Sequence, residues 1–162
     1  MIIVLMGVSG VGKTTIGKLL AAALKIPFYD GDDFHSENNI AKMSRGEPLT
    51  DNDRALWLAS LRNLIQQLLA KHESAIIACS ALKASYRQQL QVDPDQVMFV
   101  YLKGSYELIQ QRLNRRQGHF MNPQLLASQF TLLEEPEDVL VVDVAQPLEL
   151  VVGEIMGAIK ES

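Results

Sequence analysis

The chain has 162 residues, 48% hydrophobic and 21% charged, which supports one folded core and excludes disordered or collagen-like sequence. Fifteen Lys and Arg against nineteen Asp and Glu leave a net charge of −4, and only 6% aromatic residues argue against a nucleic-acid track. The single cysteine, Cys79, excludes an internal disulfide and fits a reducing, cytoplasmic setting.

Residues 2–6 (IIVLM) open the chain as a continuous apolar run, as in a parallel strand covered on both faces. The run is too short for a membrane span and has no basic segment before it, so neither export signal nor anchor is expected. Next, Gly7-Val8-Ser9-Gly10-Val11-Gly12-Lys13-Thr14 fits G-x-x-x-x-G-K-[ST], with Thr15 following. Glycines let the backbone turn tightly and aim N–H groups at phosphate oxygens. The helix predicted over 13–24 adds its positive N-terminal dipole. Lys13 would neutralise the β- and γ-phosphates, and Thr14 would ligate Mg²⁺. A glycine-rich turn with a surface lysine is the plain alternative. The strand before and the helix after argue instead for a nucleoside triphosphate site.

A second strand is predicted over 27–30, and Asp30-Gly31-Asp32-Asp33-Phe34-His35 follows it. Carboxylates at a strand's C-terminal end lie on the ligand side of an open α/β sheet. Strand alternation would send Asp30 and Asp32 the same way. One can help hold Mg²⁺ through water while the other accepts the proton of an attacking hydroxyl, and the base among Asp30, Asp32 and Asp33 stays open. Taken alone, an ordinary acidic turn would look alike. Residues 31–48 show weak periodicity and read as a functional loop. Thr50 with Asp53 three residues on makes a capping-box-like start for a helix over 51–71. In it Trp57, Leu58, Leu61, Leu64, Ile65, Leu68 and Leu69 recur at core spacing. Arg54 stands in the first turn, where the dipole disfavours a cation, so a bound anion is its natural partner.

The strand over 75–79 leads through Ser80 to a helix over 83–91. Cys79 reads as a small core residue, and Ser80 as a hydroxyl beside phosphate or metal. Lys83 and Arg87, four apart on one helical face, suit either an anionic acceptor or a solvated basic surface. Beyond the strand over 97–102 and the helix over 106–116, residues 112–123 read as a lid hinged at Gly118. Arg112 and Arg116 can face one nucleotide, one stacking on adenine and the other clamping the transferring phosphoryl group. The plain alternative is a basic helix end complementing its own dipole. His119 is a candidate substrate contact, and Asn122-Pro123 starts a helix over 124–133. After the strand over 139–143, a turn with Gln146 and Pro147 can pack against adenine before the last helix, 148–160.

This alternation of short apolar runs and amphipathic stretches indicates a doubly wound α/β sandwich, with no repeat or linker to divide a single domain over 1–162. A switch GTPase would need N-K-x-D after a strand, which this chain lacks, and G-x-G-x-x-G of protein kinases is not the pattern found. Small kinases of metabolites or nucleotides remain.

The segments GVSGVGKTT, DGDDFH with Asn39, KMSRGEPLTDNDR, CSALKASYR, RLNRRQGHFMNPQLLASQF with LLEEP, and VLVVDVAQPLE together resemble the gluconate kinases of the small P-loop family. They run in family order through nearly the whole chain. The resemblance implies a P-loop NTPase three-layer sandwich, a five-stranded parallel sheet ordered 2-3-1-4-5 with helices on both faces, a mobile lid and a homodimer. It implies transfer of the ATP γ-phosphoryl group, with Mg²⁺, to the 6-hydroxyl of D-gluconate, giving 6-phospho-D-gluconate. Asp32 would then orient or deprotonate the hydroxyl, Asp30 support the metal, and Arg116 stabilise the transferred charge. Arg54, Lys83 and Arg87 suit the gluconate carboxylate; Asp32, His35 and Asn39 suit its hydroxyls, in an acceptor-binding segment over about 31–54. Shikimate or a nucleoside monophosphate would need similar groups, and a nucleotide-binding switch is the reading from another class. Two departures stand out. Leu56 precedes Trp57 where the family pattern has a proline, and the stretch between Glu134 and Val139 is short.

Overall fold

The computed structural model describes residues 1–115 and 123–161. Strands β1 (Ile2–Met6), β2 (Phe28–Asp30), β3 (Ala75–Ala78), β4 (Val97–Lys103) and β5 (Leu140–Asp143) form a parallel sheet in the order β2-β3-β1-β4-β5. This is the order the resemblance implied. Strand β1 lies between β3 and β4, with Val4 level with Ile77 and Phe99. All five of its residues are buried, so its sequence is apolar without alternation.

The pleat sends β1 side chains into two cores. Ile2, Val4 and Met6 pack with Trp57, Leu61 and Ile65, whereas Ile3 and Leu5 pack with Ile16, Leu20, Ile109 and Ile155. The helices are α1 (Lys13–Leu24), α2 (Glu37–Ser44), α3 (Asp51–Ala70), α4 (Ala84–Leu90), α5 (Tyr106–Arg115), α6 (Pro123–Leu132) and α7 (Leu148–Glu161). Helices α3 and α4 supply the first core, and α1, α5 and α7 the second. Among the described residues no helix is long and apolar enough to cross a membrane.

Two local expectations change. Residues 31–48 are not a bare loop: a 3-10 turn, Gly31–Phe34, is followed by α2, whose cap Ser36 accepts from the Asn39 N–H at 3.1 Å. The periodicity was weak because this short helix buries only Asn39 and Met43. Lys83 lies just outside α4 as its cap, so it does not share a helical face with Arg87. Helix α3 runs unbroken through Leu56, which is 81% exposed, so no packing depends on the residue before Trp57.

Gly31 sets how closely the turn after β2 approaches β3. A Cβ there would lie 2.4 Å from the Ala78 carbonyl oxygen, while the Gly31 carbonyl accepts from Trp57 Nε1 at 2.8 Å. Gly31→Ala should therefore lower unfolding free energy by about 1–3 kcal/mol in urea titrations. Gly153→Ala, in α7 with open space around the new methyl, should raise it by about 0.5–1 kcal/mol. Equal effects at the two sites would refute the close-approach argument.

Candidate active site

The loop of residues 7–12 joins β1 to α1 at the carboxyl edge of the sheet. Gly7, Gly10 and Gly12 have φ of 147°, 92° and 99°, and a Cβ on Gly7 would lie 2.6 Å from the Leu102 carbonyl oxygen. Val8 and Val11 bury their side chains, so these residues offer the cleft only backbone. Gly12 caps the start of helix α1 without a side-chain bond, and the first turn carries no acid, an arrangement suited to a bound anion. Lys13 Nζ donates to the carbonyls of Gly7 at 2.8 Å and Val8 at 3.0 Å. Loss of hydration lowers its pKa, opposed chiefly by Asp32.

Thr14 Oγ1 donates to Asp30 Oδ2 at 3.2 Å, and Asp30 Oδ1 accepts from the Asp32 N–H at 3.0 Å. The second bond caps the 3-10 turn. Turn geometry therefore aims Asp32, not the strand alternation expected from sequence. A cleft of about 360 Å³ over the loop is lined by Ser9, Lys13, Thr14, Thr15, Asp30 and Asp32, among others. The Thr14–Asp30 pair fits Mg²⁺, which takes one or two protein oxygens and completes its shell with phosphate and water. Among the described residues no group of three His, Cys, Asp or Glu could hold a metal alone.

A second pocket adjoins the cleft and shares Ser9, Lys13 and Asp32 with it. His35, Arg54, Trp57, Ser80 and Gln129 also line this pocket. Of the three candidate bases, only Asp32 lines it; Asp33 faces a groove beside Lys18 and Phe34. Lost hydration raises the Asp32 pKa, helped by Asp30 and Asp33 and opposed by Lys13. Arg54 is held at the wall, donating from Nη1 to the Tyr86 hydroxyl at 3.2 Å. The Tyr86 hydroxyl in turn donates to Asp51 Oδ1 at 2.7 Å. Ring stacking places His35 4.2 Å from Trp57.

A third groove shares Gly10, Gly12 and Thr15 with the cleft and is lined by Arg112, Val144 and Gln146. Arg112 Nη2 donates to the Val144 carbonyl. Pro147 is not among the lining residues; its carbonyl accepts from the Leu150 N–H at 3.0 Å and starts α7. Arg116, His119 and the hinge Gly118 lie outside the described residues.

Other expected contacts are placed elsewhere. Arg87 is 9% exposed and donates to the carbonyls of Ala81, Leu82 and Glu134 at 2.8, 3.1 and 2.8 Å. It thereby holds a loop in which Ala81 has a left-handed φ of 45°. Lys83 Nζ pairs with Asp51 Oδ1 at 3.3 Å. Asn39 is buried and donates to the Asp53 carbonyl at 2.9 Å. Burial pushes the Cys79 thiol up to about 12, consistent with a core residue.

Trp57 and Gln129 are among the pocket residues that sequence does not identify. Trp57 matched the core stripe, and nothing in its spacing indicated the ring stack on His35. Gln129 gave no signal, yet its Oε1 accepts from the Ser9 N–H at 2.7 Å and ties α6 to the phosphate loop.

Residues 9–155 match the family model described as shikimate kinase. The thermoresistant gluconokinase of Escherichia coli (strain K12) is 44% identical over 99% of this chain and 94% of its own. The probable gluconokinase of Mus musculus is 41% identical over 98% of this chain and 97% of its own. The crystal structure of a gluconokinase from Sinorhizobium meliloti 1021 superposes with a TM-score of 0.88 at 44% identity, covering 98% of this chain and 91% of that one.

If Arg87 is a staple for the 80–84 loop, Arg87→Met should leave three carbonyls without their donor. It should lower unfolding free energy by about 2–4 kcal/mol in urea melts. Arg54→Met, at the pocket wall, should cost less. A loss below about 1 kcal/mol for Arg87→Met would return that guanidinium to the candidate acceptor ligands.

Proposed function

The chain belongs to the gluconokinase family, within the shikimate-kinase type of P-loop kinases, and from that premise we propose that it phosphorylates D-gluconate at its 6-hydroxyl with ATP. The supporting observation is that the phosphate cleft and the second pocket meet at Lys13 and Asp32. A nucleotide held by residues 7–15 would end its γ-phosphoryl group at that seam, facing an acceptor beside His35 and Arg54.

The acceptor's O6 attacks the γ-phosphorus as the bond from that phosphorus to the β–γ bridging oxygen breaks, leaving ADP and 6-phospho-D-gluconate. Asp32 accepts the O6 proton, and its raised pKa suits that role. Lys13 and the backbone N–H groups at the start of α1 take up charge on the phosphates. Thr14 and Asp30 would hold Mg²⁺, which supplies charge neutralisation on the triphosphate when bound. Arg54 and Lys83 serve the gluconate carboxylate, and His35 its hydroxyls. Arg112 and Gln146 flank the base side, and Arg116 is assigned the transferring phosphoryl group by its place in the sequence. Positioning and electrostatics carry most of the rate, because the transition state is loose. A cytoplasmic homodimer with a lid over about 112–123 completes the proposal.

The test is ADP release from Mg·ATP with D-gluconate, shikimate, AMP or no acceptor. Gluconate alone should stimulate strongly, and chelation of the metal should abolish turnover. Lys13→Ala should reduce kcat by roughly 100-fold or more with the fold intact by circular dichroism. Stimulation by shikimate or AMP alone would reassign the acceptor, and full activity of Lys13→Ala would refute the cradle.

A further inference from the structure

Asn39 entered as a candidate contact to substrate hydroxyls, but both its amide hydrogens are directed inside the protein. Nδ2 lies 2.9 Å from the Asp53 carbonyl oxygen and 3.3 Å from His35 Nδ1. A carbonyl oxygen only accepts, so the Asp53 carbonyl requires the amide NH₂ in that position. That NH₂ then donates to His35 Nδ1, which must be the unprotonated ring nitrogen. In a neutral imidazole the proton is then on Nε2.

We propose that Asn39 is a positioning residue that holds His35 as the neutral Nε2–H tautomer, and that this N–H donates to an acceptor oxygen in the pocket shared by Asp32 and Arg54. The inference rests on the kinase reading only for the identity of that oxygen; the tautomer follows from the Asp53–Asn39–His35 chain. Three further observations support it. His35 lines the pocket, and among the described residues its Nε2 has no protein partner. The ring is fixed against Trp57 at a centroid distance of 4.2 Å and 15° between planes, and Trp57 is itself held by the Gly31 carbonyl. Burial and the Arg54 charge lower the His35 pKa to about 4, so the ring stays neutral at physiological pH.

The charged groups around this ring are Asp32 on its own turn, Lys13 at the start of α1 and Arg54 on α3. Lys42 of α2 and Asp53 of α3 are already paired with each other at 2.8 Å. With its neutral donor the pocket selects an acceptor that presents a lone pair at this point. An imidazolium would instead add a second cation beside Arg54.

The direct test uses [¹⁵N]histidine-labelled protein, whose three histidines are few enough to assign by loss of signal in His35→Gln. Two-bond ¹H–¹⁵N spectra should show His35 protonated at Nε2 and bare at Nδ1, unchanged from pH 7.5 to 5. Asn39→Ala should release the ring to a mixture of tautomers, with a share of the protein protonated at Nδ1 at pH 7.5. Wild-type His35 carrying its proton on Nδ1, or titrating above pH 6, would overturn the proposal whether or not Asn39→Ala folds.

The kinetic arm uses His35→Phe, which keeps an aromatic ring for Trp57 and loses the donor. It should raise KM for D-gluconate about tenfold while leaving KM for ATP unchanged. His35→Gln, whose amide nitrogen takes the place of Nε2, should recover most of that loss. An unchanged gluconate KM in His35→Phe would overturn the donor role. If wild-type protein shows no response to gluconate at all, the proposed acceptor fails, and the spectra still decide the tautomer.

Discussion

The site depends on keeping one ammonium charge at the carboxyl edge of an apolar sheet. Strand β1 is buried along its whole length, so the chain passes from full burial at Met6 to the Lys13 charge within a single loop. The cost of desolvating that ammonium is large unless oxygen atoms replace water. Gly7 and Val8 supply two carbonyls, and Asp32 and Asp30 supply the field that opposes loss of the proton. The glycine conformations follow from this requirement. A loop whose carbonyls turn back to a lysine five and six residues on needs φ values that side chains with a Cβ rarely adopt.

The same charge organises the other wall. Asp30 bridges Thr14 on α1 and the Asp32 N–H on the 3-10 turn, so both carboxylates are fixed within the field of Lys13. Behind that turn, devices that look purely structural also fix geometry. Thr50 and Asp53 cap α3 reciprocally at 3.1 and 2.9 Å. Lys42 draws the Asp53 carboxyl down to about 2, with help from Thr50, and so fastens α2 to the same cap. The Asp53 carbonyl orients Asn39, which orients His35. A helix cap thereby sets the proton position on a ring in the pocket three links away.

The sheet, its order and the phosphate loop were legible because each rests on a strong local signal: uninterrupted apolar runs, and glycines at fixed spacing before Lys13. The Thr50–Asp53 box was legible for the same reason. Helix α2 was not, since eight residues that bury two side chains leave no periodic stripe. Asn39 and Arg87 were found as residues but given a different partner, because their partners are backbone carbonyls. A carbonyl has no letter in the sequence, and which one a side chain reaches is decided by tertiary packing. Gln129 escaped for that reason too: its partner is the Ser9 N–H, 120 residues away.

The three cations suggested for the acceptor carboxylate differ in how readily each could reach a ligand. Arg54 is already at the pocket wall, held by one hydrogen bond to the Tyr86 hydroxyl and a 3.9 Å ion pair with the exposed Asp51 carboxylate. Lys83 is engaged by Asp51, whose side chain is 72% exposed. Exposed pairs of this kind contribute about 0–1 kcal/mol, so Lys83 can exchange partners at little cost. Arg87 is different. Leaving three carbonyls, one of them on a residue with left-handed backbone, would unmake the loop that carries Ser80 and Leu82 into the pocket. Equal formal charge therefore gives unequal availability. The cations free to bind an anion are those whose present partners are replaceable by water, which divides Arg54 and Lys83 from Arg87 on physical grounds that composition and spacing do not contain.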